Sequence, residues 1–425
     1  MTEPRDRWSE VAAALRDAAR RFGSPAAVTD VEELARSAKS VTSAFPDPWL
    51  RSYSLKANDV SAIVGRITSL GFDANVVSRG EWAVARRAGV PNARITFEGV
   101  GKTDADLAAA VRASRLGDPL RWLAIESLDE ARSLVRIATS GLHGGSLDVL
   151  FRLNPSVRPD THAGLAVGAA TSKFGMTVDE LTEAVAVVAD ARGLRPRGIH
   201  LHVGSQLRSV DAWRDGIRRG VALAALLNGS WPGFDTLDVG GGFPVLPGDE
   251  PAPDPERFAR DIPALLAQAP ADRRPTRLAI EPGRSLIARA GYLVGRVLHV
   301  RERDGRQIVL DVGMTDLIRP ALYGARHDIT ALTSLGRPWD QGAARTNAVE
   351  LARVEGPICE STDHLGEHRL PPLRRGDLVA IRDTGAYAAS LSSTYNGRPR
   401  VPQVLLEEDG RLVLARRRGA VAALG

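Results

Sequence analysis

Four of the 56 basic residues are lysines: Lys39, Lys56, Lys102 and Lys173. Arginine takes every other basic position. An amine that must lose its proton and attack a carbonyl cannot be arginine, whose guanidinium stays charged. The remaining lysines are therefore where carbonyl chemistry would be sought. Lys56 ends an apolar run in Tyr53-Ser-Leu-Lys56-Ala-Asn58. Cys359 is the only cysteine, set in Gly356-Pro-Ile-Cys359-Glu-Ser361. A lone thiol is either a small buried hydrophobe or a reactive group, and both readings stand at this point.

A second set of residues suggests a bound phosphate. Gly240, Gly241 and Gly242 are consecutive, so backbone amides could approach an anion closely, helped by a helix N-terminus beyond. A tight strand-to-helix turn would use the same glycines. Arg284, in Glu281-Pro-Gly-Arg284, could add a phosphate fork. A phosphate site with one lysine and one glutamate suggests pyridoxal 5'-phosphate, whose aldehyde forms a Schiff base with lysine. Glu281 suits the carboxylate that keeps a pyridine nitrogen protonated. His202 is either a ring-stacking residue or a hydrogen-bonded core histidine.

Something must hold these groups together. Eight short apolar runs, at 51–56, 73–77, 94–97, 121–125, 147–153, 198–203, 236–239 and 277–280, alternate with helical stretches such as 181–191. Strands alternating with helices indicate a parallel sheet, and eight units over roughly 250 residues indicate a closed (β/α)8 TIM-like barrel. An open doubly wound sheet is the alternative. Polar residues collect at the ends of the runs: Lys56, Asn75 and Ser78, Glu98, Glu126 and Ser127, Arg152 and Asn154, His200 and His202, and Glu281. Any one could be a helix cap, but barrels build their chemistry at those ends. After Gly291 the helical pattern gives way to strands at 292–300, 307–312, 377–381, 404–406 and 412–415, with turns at Asp304-Gly305 and Asp409-Gly410. The expected organisation is α/β. Residues 1–34 contribute helix 8–22 and a strand at 26–28 to a β domain, 35–290 form the barrel, and 291–425 form an antiparallel β domain. Residues 331–348 read as a loop.

Composition excludes other classes. A net charge of +5 over 425 residues, with dispersed basic groups, gives no nucleic-acid footprint, and Arg416-Arg417-Arg418 reads as a solvated tail. The opening Met1-Thr-Glu-Pro-Arg-Asp-Arg7 has no apolar core behind its charges, so no signal peptide is expected. No apolar run reaches the ~18 residues of a membrane span. A single cysteine fits a reducing cytoplasm.

These motifs, with His200-Leu-His202-Val-Gly-Ser205-Gln206 and Asp238-Val-Gly-Gly-Gly-Phe243, resemble the fold-type III pyridoxal-phosphate decarboxylases, with their alanine-racemase-like fold. Asp311-Val-Gly-Met-Thr-Asp-Leu-Ile-Arg319-Pro-Ala-Leu-Tyr323, Gly385-Ala-Tyr387 and Tyr395-Asn396 narrow the resemblance to the diaminopimelate decarboxylase branch. It implies Lys56 as the Schiff-base lysine and His202 as the stacking histidine. Ser205, Gly240, Gly241, Gly242 and Arg284 would be phosphate contacts, with Tyr387 closing over the phosphate and Glu281 as the pyridinium partner. Arg319 and Tyr323 would bind a substrate carboxylate, with Arg284 and Tyr387 near it. Glu360 would read a distal amine, and Cys359 would reprotonate the carbanion. It implies a homodimer with shared active sites, Cys359 and Glu360 coming from the second copy, and no metal. The substrate implied is meso-2,6-diaminopimelate and the product L-lysine.

The chain departs from the family pattern at Asn75, where Asp is usual, at Arg79, where Gly is usual, and at Thr161-His-Ala-Gly164. Lys173-Phe-Gly175 is retained. The departures keep open a paralogue acting on lysine, ornithine or a modified or carrier-linked amino acid. A racemase is disfavoured by Glu281, and a non-catalytic regulator by the presence of both Lys56 and Cys359.

Overall fold

The computed structural model describes residues 7–421 apart from 143, 170, 249 and 340–348. The chain divides into two compact units. One comprises 38–246 and 251–285, the other 1–37, 247–250 and 286–425.

Helix Arg7–Phe22 buries Val11, Ala12, Leu15, Ala18 and Ala19, a spacing that places all five on one face. Strand β1 (Ala26–Asp30) follows. Eight short strands come next: β2 (Leu50–Ser54), β3 (Asp73–Val76), β4 (Ile95–Phe97), β5 (Trp122–Ile125), β6 (Leu147–Arg152), β7 (Leu194–His200), β8 (Thr236–Asp238) and β9 (Arg277–Ile280). Each pairs in parallel with the next. β9 returns to β2 through Leu50↔Ala279 and Arg51↔Ile280, which closes the barrel.

The helices between them start where the sequence supplies an acceptor. Ser78, Thr103, Ser127 and Thr177 each receive the backbone N–H three residues on, and Thr103 and Thr177 complete capping boxes. Ser78 and Ser127 are therefore helix caps. Trp122, Ala124, Leu150 and Ala279 form a buried cluster from β5, β6 and β9. A barrel filled by side chains leaves its strand ends as the place for chemistry. Strand β7 differs from expectation. It begins at Leu194 rather than 198 and ends at His200, so His202 stands beyond it. Arg195, Pro196 and Arg197 hide its first half from an apolar pattern, and the pairing with β6 shifts register between Val149 and Leu150.

The other unit continues with β10 (Gly291–Glu302), β11 (Arg306–Leu310), β12 (Ile329–Ala331), β13 (Thr333–Ser334), β14 (Arg337–Pro338), β15 (Glu350–Glu355), β16 (His364–Leu370), β17 (Leu378–Ile381), β18 (Gln403–Leu406) and β19 (Leu412–Arg416). With β1 they build a nine-stranded sheet, mostly antiparallel, and the separate hairpin β13–β14. Two pairs are parallel, β1 with β18 and β11 with β15. Neither pair is joined by a local turn, so no sequence signal gives its direction. The hairpin and β12 correct the reading of 331–348 as a loop. Strands of two residues show no period, and 340–348 lie outside the described residues. One buried cluster gathers Leu293, Ile308, Leu310 and Val354, and a second gathers Leu15, Val28, Val294 and Val404.

Candidate active site

Lys56 follows β2 in a single 3-10 turn, Leu55–Ala57. Leu55 and Ala57 are fully buried, and the Tyr53 hydroxyl donates to the Asn58 carbonyl at 3.0 Å. Asn58 Oδ1 accepts the Val60 N–H at 3.1 Å. The turn is thus pinned on both sides of a half-buried lysine. The other lysines have different situations. Lys39 and Lys173 are exposed, and Lys102 is buried against Glu130 at 3.0 Å.

His202 and the glycine run face one another. The Gly241 N–H donates to His202 Nδ1 at 3.3 Å. Burial lowers the His202 pKa well below its ordinary value, helped by the charges of Lys56 and Arg152, so the ring is neutral. A Cβ at Gly240, where φ is +71°, would lie 2.2 Å from the Leu201 carbonyl, and one at Gly241 would lie 2.3 Å from the Glu281 carbonyl. Only glycine fits this approach of β7, β8 and β9. The helix expected straight after the glycines is absent, since the next one is Pro255–Ala259. An anion here would be held by backbone amides and by Arg284, whose Nη2 donates to Ser205 Oγ at 3.1 Å.

Beneath these groups lies a set of buried acids. Glu98, Asp238 and Glu281 follow or end β4, β8 and β9, each 5% exposed or less. Asn75 Nδ2 donates to Glu281 Oε1 at 3.0 Å and to Thr96 Oγ1 at 3.2 Å. His200 Nε2 lies 3.3 Å from Glu98 Oε2 and 3.2 Å from Glu281 Oε1, without hydrogen-bonding geometry to either. Burial pushes Glu98 up to about 8, reinforced by the Glu281 charge, and pushes His200 down to about 4. The ligand atoms of Glu98, His200 and Glu281 fall within 4.8 Å of one another. Alongside, Arg152 Nη1 donates to Glu126 Oε1 at 2.5 Å, and the Gly175 N–H donates to Glu126 Oε2 at 3.1 Å. Asn154 Nδ2 holds the carbonyls of Ala169 and Phe174 and so shapes the 155–175 loop. Strand-end position marked Asn75, Glu98, Glu126, Arg152, Asn154, His200 and Glu281 in the sequence, but not Asp238 and not which would touch which.

Arg319, Tyr323, Cys359, Glu360 and Tyr387 belong to the other unit. Arg319 is buried in the short helix Arg319–Tyr323, its Nη1 2.8 Å from His327 Nε2. His327 Nδ1 donates to the Arg382 carbonyl at 3.0 Å, which leaves Nε2 to accept from Arg319. Tyr323 is half-buried. Tyr387 is also half-buried, at φ +61°. Cys359 is exposed, so it is not a buried hydrophobe. Its loop is shaped by Asp363, which the sequence did not single out. Asp363 accepts the N–H groups of Met314 at 2.6 Å and Ile358 at 2.7 Å. A Cβ at Gly356 would lie 2.2 Å from that carboxyl, which is the signal that could have revealed it. Glu360 is exposed and accepts from Tyr395 Oη at 2.5 Å and Thr362 Oγ1 at 3.2 Å.

Pyridoxal phosphate fits the barrel set. The glycine cradle admits no side chain, Arg284 and Ser205 are joined where an anion could be held, and among the described residues Glu98 Oε1 and Asp238 Oδ2 are buried oxygens without a donor, the mark of a shared-proton acid cluster. A closed barrel with these residues at its strand ends defines a class of enzyme that anchors a phosphorylated aldehyde. Residues 31–288 match the family described as "Pyridoxal-dependent decarboxylase, pyridoxal binding domain". The diaminopimelate decarboxylase of Vibrio cholerae is 34% identical over 419 residues, 98% of this chain and 95% of that protein. That of Aquifex aeolicus is 33% identical over 409 residues, 95% of this chain and 91% of that protein. The crystal structure of diaminopimelate decarboxylase from Helicobacter pylori complexed with L-lysine superposes with a TM-score of 0.86 at 30% identity, covering 96% of this chain and 98% of that one. The chain belongs to the diaminopimelate decarboxylase family of pyridoxal-dependent decarboxylases. It is a carboxy-lyase and its cofactor is pyridoxal 5'-phosphate.

Proposed function

We propose that this chain removes the α-carboxylate of meso-2,6-diaminopimelate, giving L-lysine and carbon dioxide. The observation that carries the reading is Glu281, a carboxylate held in a buried acid cluster at the barrel rim, on a chain similar over nearly its whole length to diaminopimelate decarboxylases. Bound pyridoxal phosphate supplies a ring that accepts the electron pair left at Cα when carbon dioxide departs.

Lys56 anchors the cofactor through its aldehyde. Ser205, the amides of Gly240, Gly241 and Gly242, and Arg284 would hold the phosphate, with Tyr387 as a further contact to it. His202, neutral through burial, would lie against the ring face without adding charge. Glu281 keeps the ring nitrogen protonated. Arg319 and Tyr323, with Arg284, take the distal carboxylate, and Glu360 takes the distal amine. Cys359 delivers a proton to Cα. Because Cys359 and Glu360 are exposed on the single chain, a second copy can be reached by them, which supports a homodimer with shared sites. Among the described residues no helix is long and apolar enough to cross a membrane, and the proposed setting is the cytoplasm.

Carbon dioxide release compared across meso-diaminopimelate, L-lysine, L-ornithine, L-arginine and L-glutamate tests the substrate. Diaminopimelate should be fastest, and turnover no faster than that of L-lysine or L-ornithine would reject the assignment. Mixing inactive Lys56→Ala and Cys359→Ala proteins tests the shared site. Subunit exchange should restore up to about a quarter of the activity, because a hybrid dimer contains one intact site. A second reading is the same chemistry on another amino acid. It is favoured by the altered 161–164 segment, where Thr161 Oγ1 donates to the Ser205 carbonyl at 2.5 Å beside the phosphate corner.

A further inference from the structure

The floor of the barrel site holds more acid than it has donors to satisfy. Glu98, Asp238 and Glu281 are all buried, yet among the described residues their donors are few: the Gly240 N–H on Asp238 Oδ1 at 2.9 Å, and Asn75, whose Nδ2 donates to Glu281 Oε1 at 3.0 Å and which also interacts with Glu98. Among the described residues, Glu98 Oε1 and Asp238 Oδ2 face no donor. Arg152, at the end of β6, is engaged with Glu126 at 2.5 Å. Three adjacent ionised carboxylates in such a place would be prohibitively costly. An orphaned carboxyl oxygen beside another carboxylate ceases to be an orphan once it carries a proton, because it then donates.

We propose that Glu98 is a positioning residue of the reaction: it stays protonated and donates its hydrogen to Glu281, so that Glu281 remains aimed at the cofactor's ring nitrogen. This rests on the reading of Glu281 as that nitrogen's partner. Facing Glu98 are Glu281 after β9, His200 on β7 and Asn75 on β3. Around them stand Asp238 on β8, Glu126 after β5, Arg152 on β6 and Lys56 after β2. Burial and the Glu281 charge raise Glu98 to about 8, while His200, at about 4, is neutral and cannot supply the missing positive charge. Burial raises the Asp238 pKa well above its usual range, with the charges of Glu281 and Glu98 adding to it. Asn75 fits the same arrangement. An aspartate there would add a fourth acid, whereas the amide contributes a donor to Glu281.

The sign of the pH effect follows. The folded-state pKa of Glu98 lies above its ordinary 4.5. Its contribution to stability is therefore complete below about 4.5 and is lost as pH rises toward 8, beyond which the loss is constant. Melting temperatures of cofactor-free wild type and Glu98→Gln, taken from about pH 5 to about pH 9, test this. Wild type should lose ground to the variant up to about pH 8 and run parallel above it. Infrared spectra of cofactor-free wild type should show a protonated-carboxyl band at neutral pH that fades on alkalinisation, a measurement that needs no variant. Cofactor affinity should fall on the order of tenfold in Glu98→Ala and be restored in Glu98→Gln, whose amide can still donate. A pH-independent stability difference, no titrating acid band, or a stoichiometric metal ion in the purified protein would overturn the proposal. The first two readouts require no cofactor, so they can fail while Glu281 keeps its assigned role. If they succeed and Glu281→Gln leaves the cofactor's spectrum unchanged, the reading of Glu281 is what fails.

Discussion

The rim of the barrel and the loop 356–361 present their functional groups in opposite ways. At the rim, Lys56, His202 and the pair Glu281 and Arg284 come from three strand ends, and neighbouring strands are joined by backbone contacts such as Glu281 N–H to the Gly240 carbonyl at 2.8 Å. Their settings are buried or half-buried, which lets burial tune charge, as the neutral His202 shows. The loop is exposed at Cys359 and Glu360, and its shape depends on one carboxylate, Asp363. A group that must hold a cofactor gains from rigidity. A group that must meet something outside its own chain gains from exposure.

That contrast can be broken at several points. Lys56→Ala should have the largest effect, lowering decarboxylation by more than about 10³-fold and abolishing the visible absorption of the bound cofactor. Substantial activity in that variant would remove the barrel rim from the chemistry. Cys359→Ala should lower turnover by roughly 10²–10⁴-fold, the range for loss of a general acid, with cofactor uptake and its spectrum intact. A matching loss of cofactor binding would mean the two regions are not functionally separate.

Asp363→Ala should strand the Met314 and Ile358 N–H groups at a cost of about 1–3 kcal/mol each. Turnover should drop while cofactor affinity holds, measurable by titration with pyridoxal phosphate. The smallest effect concerns Glu126. Burial raises its pKa, but the charge and hydrogen bond of Arg152 and the charge of Lys102 outweigh burial and hold it below 4.5. Its stabilisation is therefore present above that value and is lost as pH falls through the lowered one. Glu126→Gln should flatten the acid side of the melting curve, and an unchanged acid limb would count against the Glu126–Arg152 pair as its source.

Much of the barrel could be read before folding. Eight apolar runs lie near eight strands because a parallel strand buried on both faces must be apolar. Strand β7 shows the limit. Arg195 and Arg197 reach Asp148 at 2.6 and 3.1 Å, so its first half survives through ion pairs rather than apolar side chains. Lys56 stood out because arginine cannot do its chemistry, and the glycines because nothing larger can. Ser78 and Ser127 looked equally promising at strand ends and serve as caps.

Residue type and local spacing by themselves pointed to the barrel, to Lys56 and to a candidate anion corner, since each depends on what a side chain can do and on a period of a few residues, and the resemblance of the motifs added the chemical class. Tertiary structure alone decided the rest. It made β1–β18 and β11–β15 parallel, exposed Cys359, set His327 behind Arg319, and brought Glu98, His200, Asp238 and Glu281 within reach of one another. Those four are separated by up to 183 positions in the chain, from 98 to 281. The charge each carries depends on burial and on neighbours that only the closing of the barrel supplies.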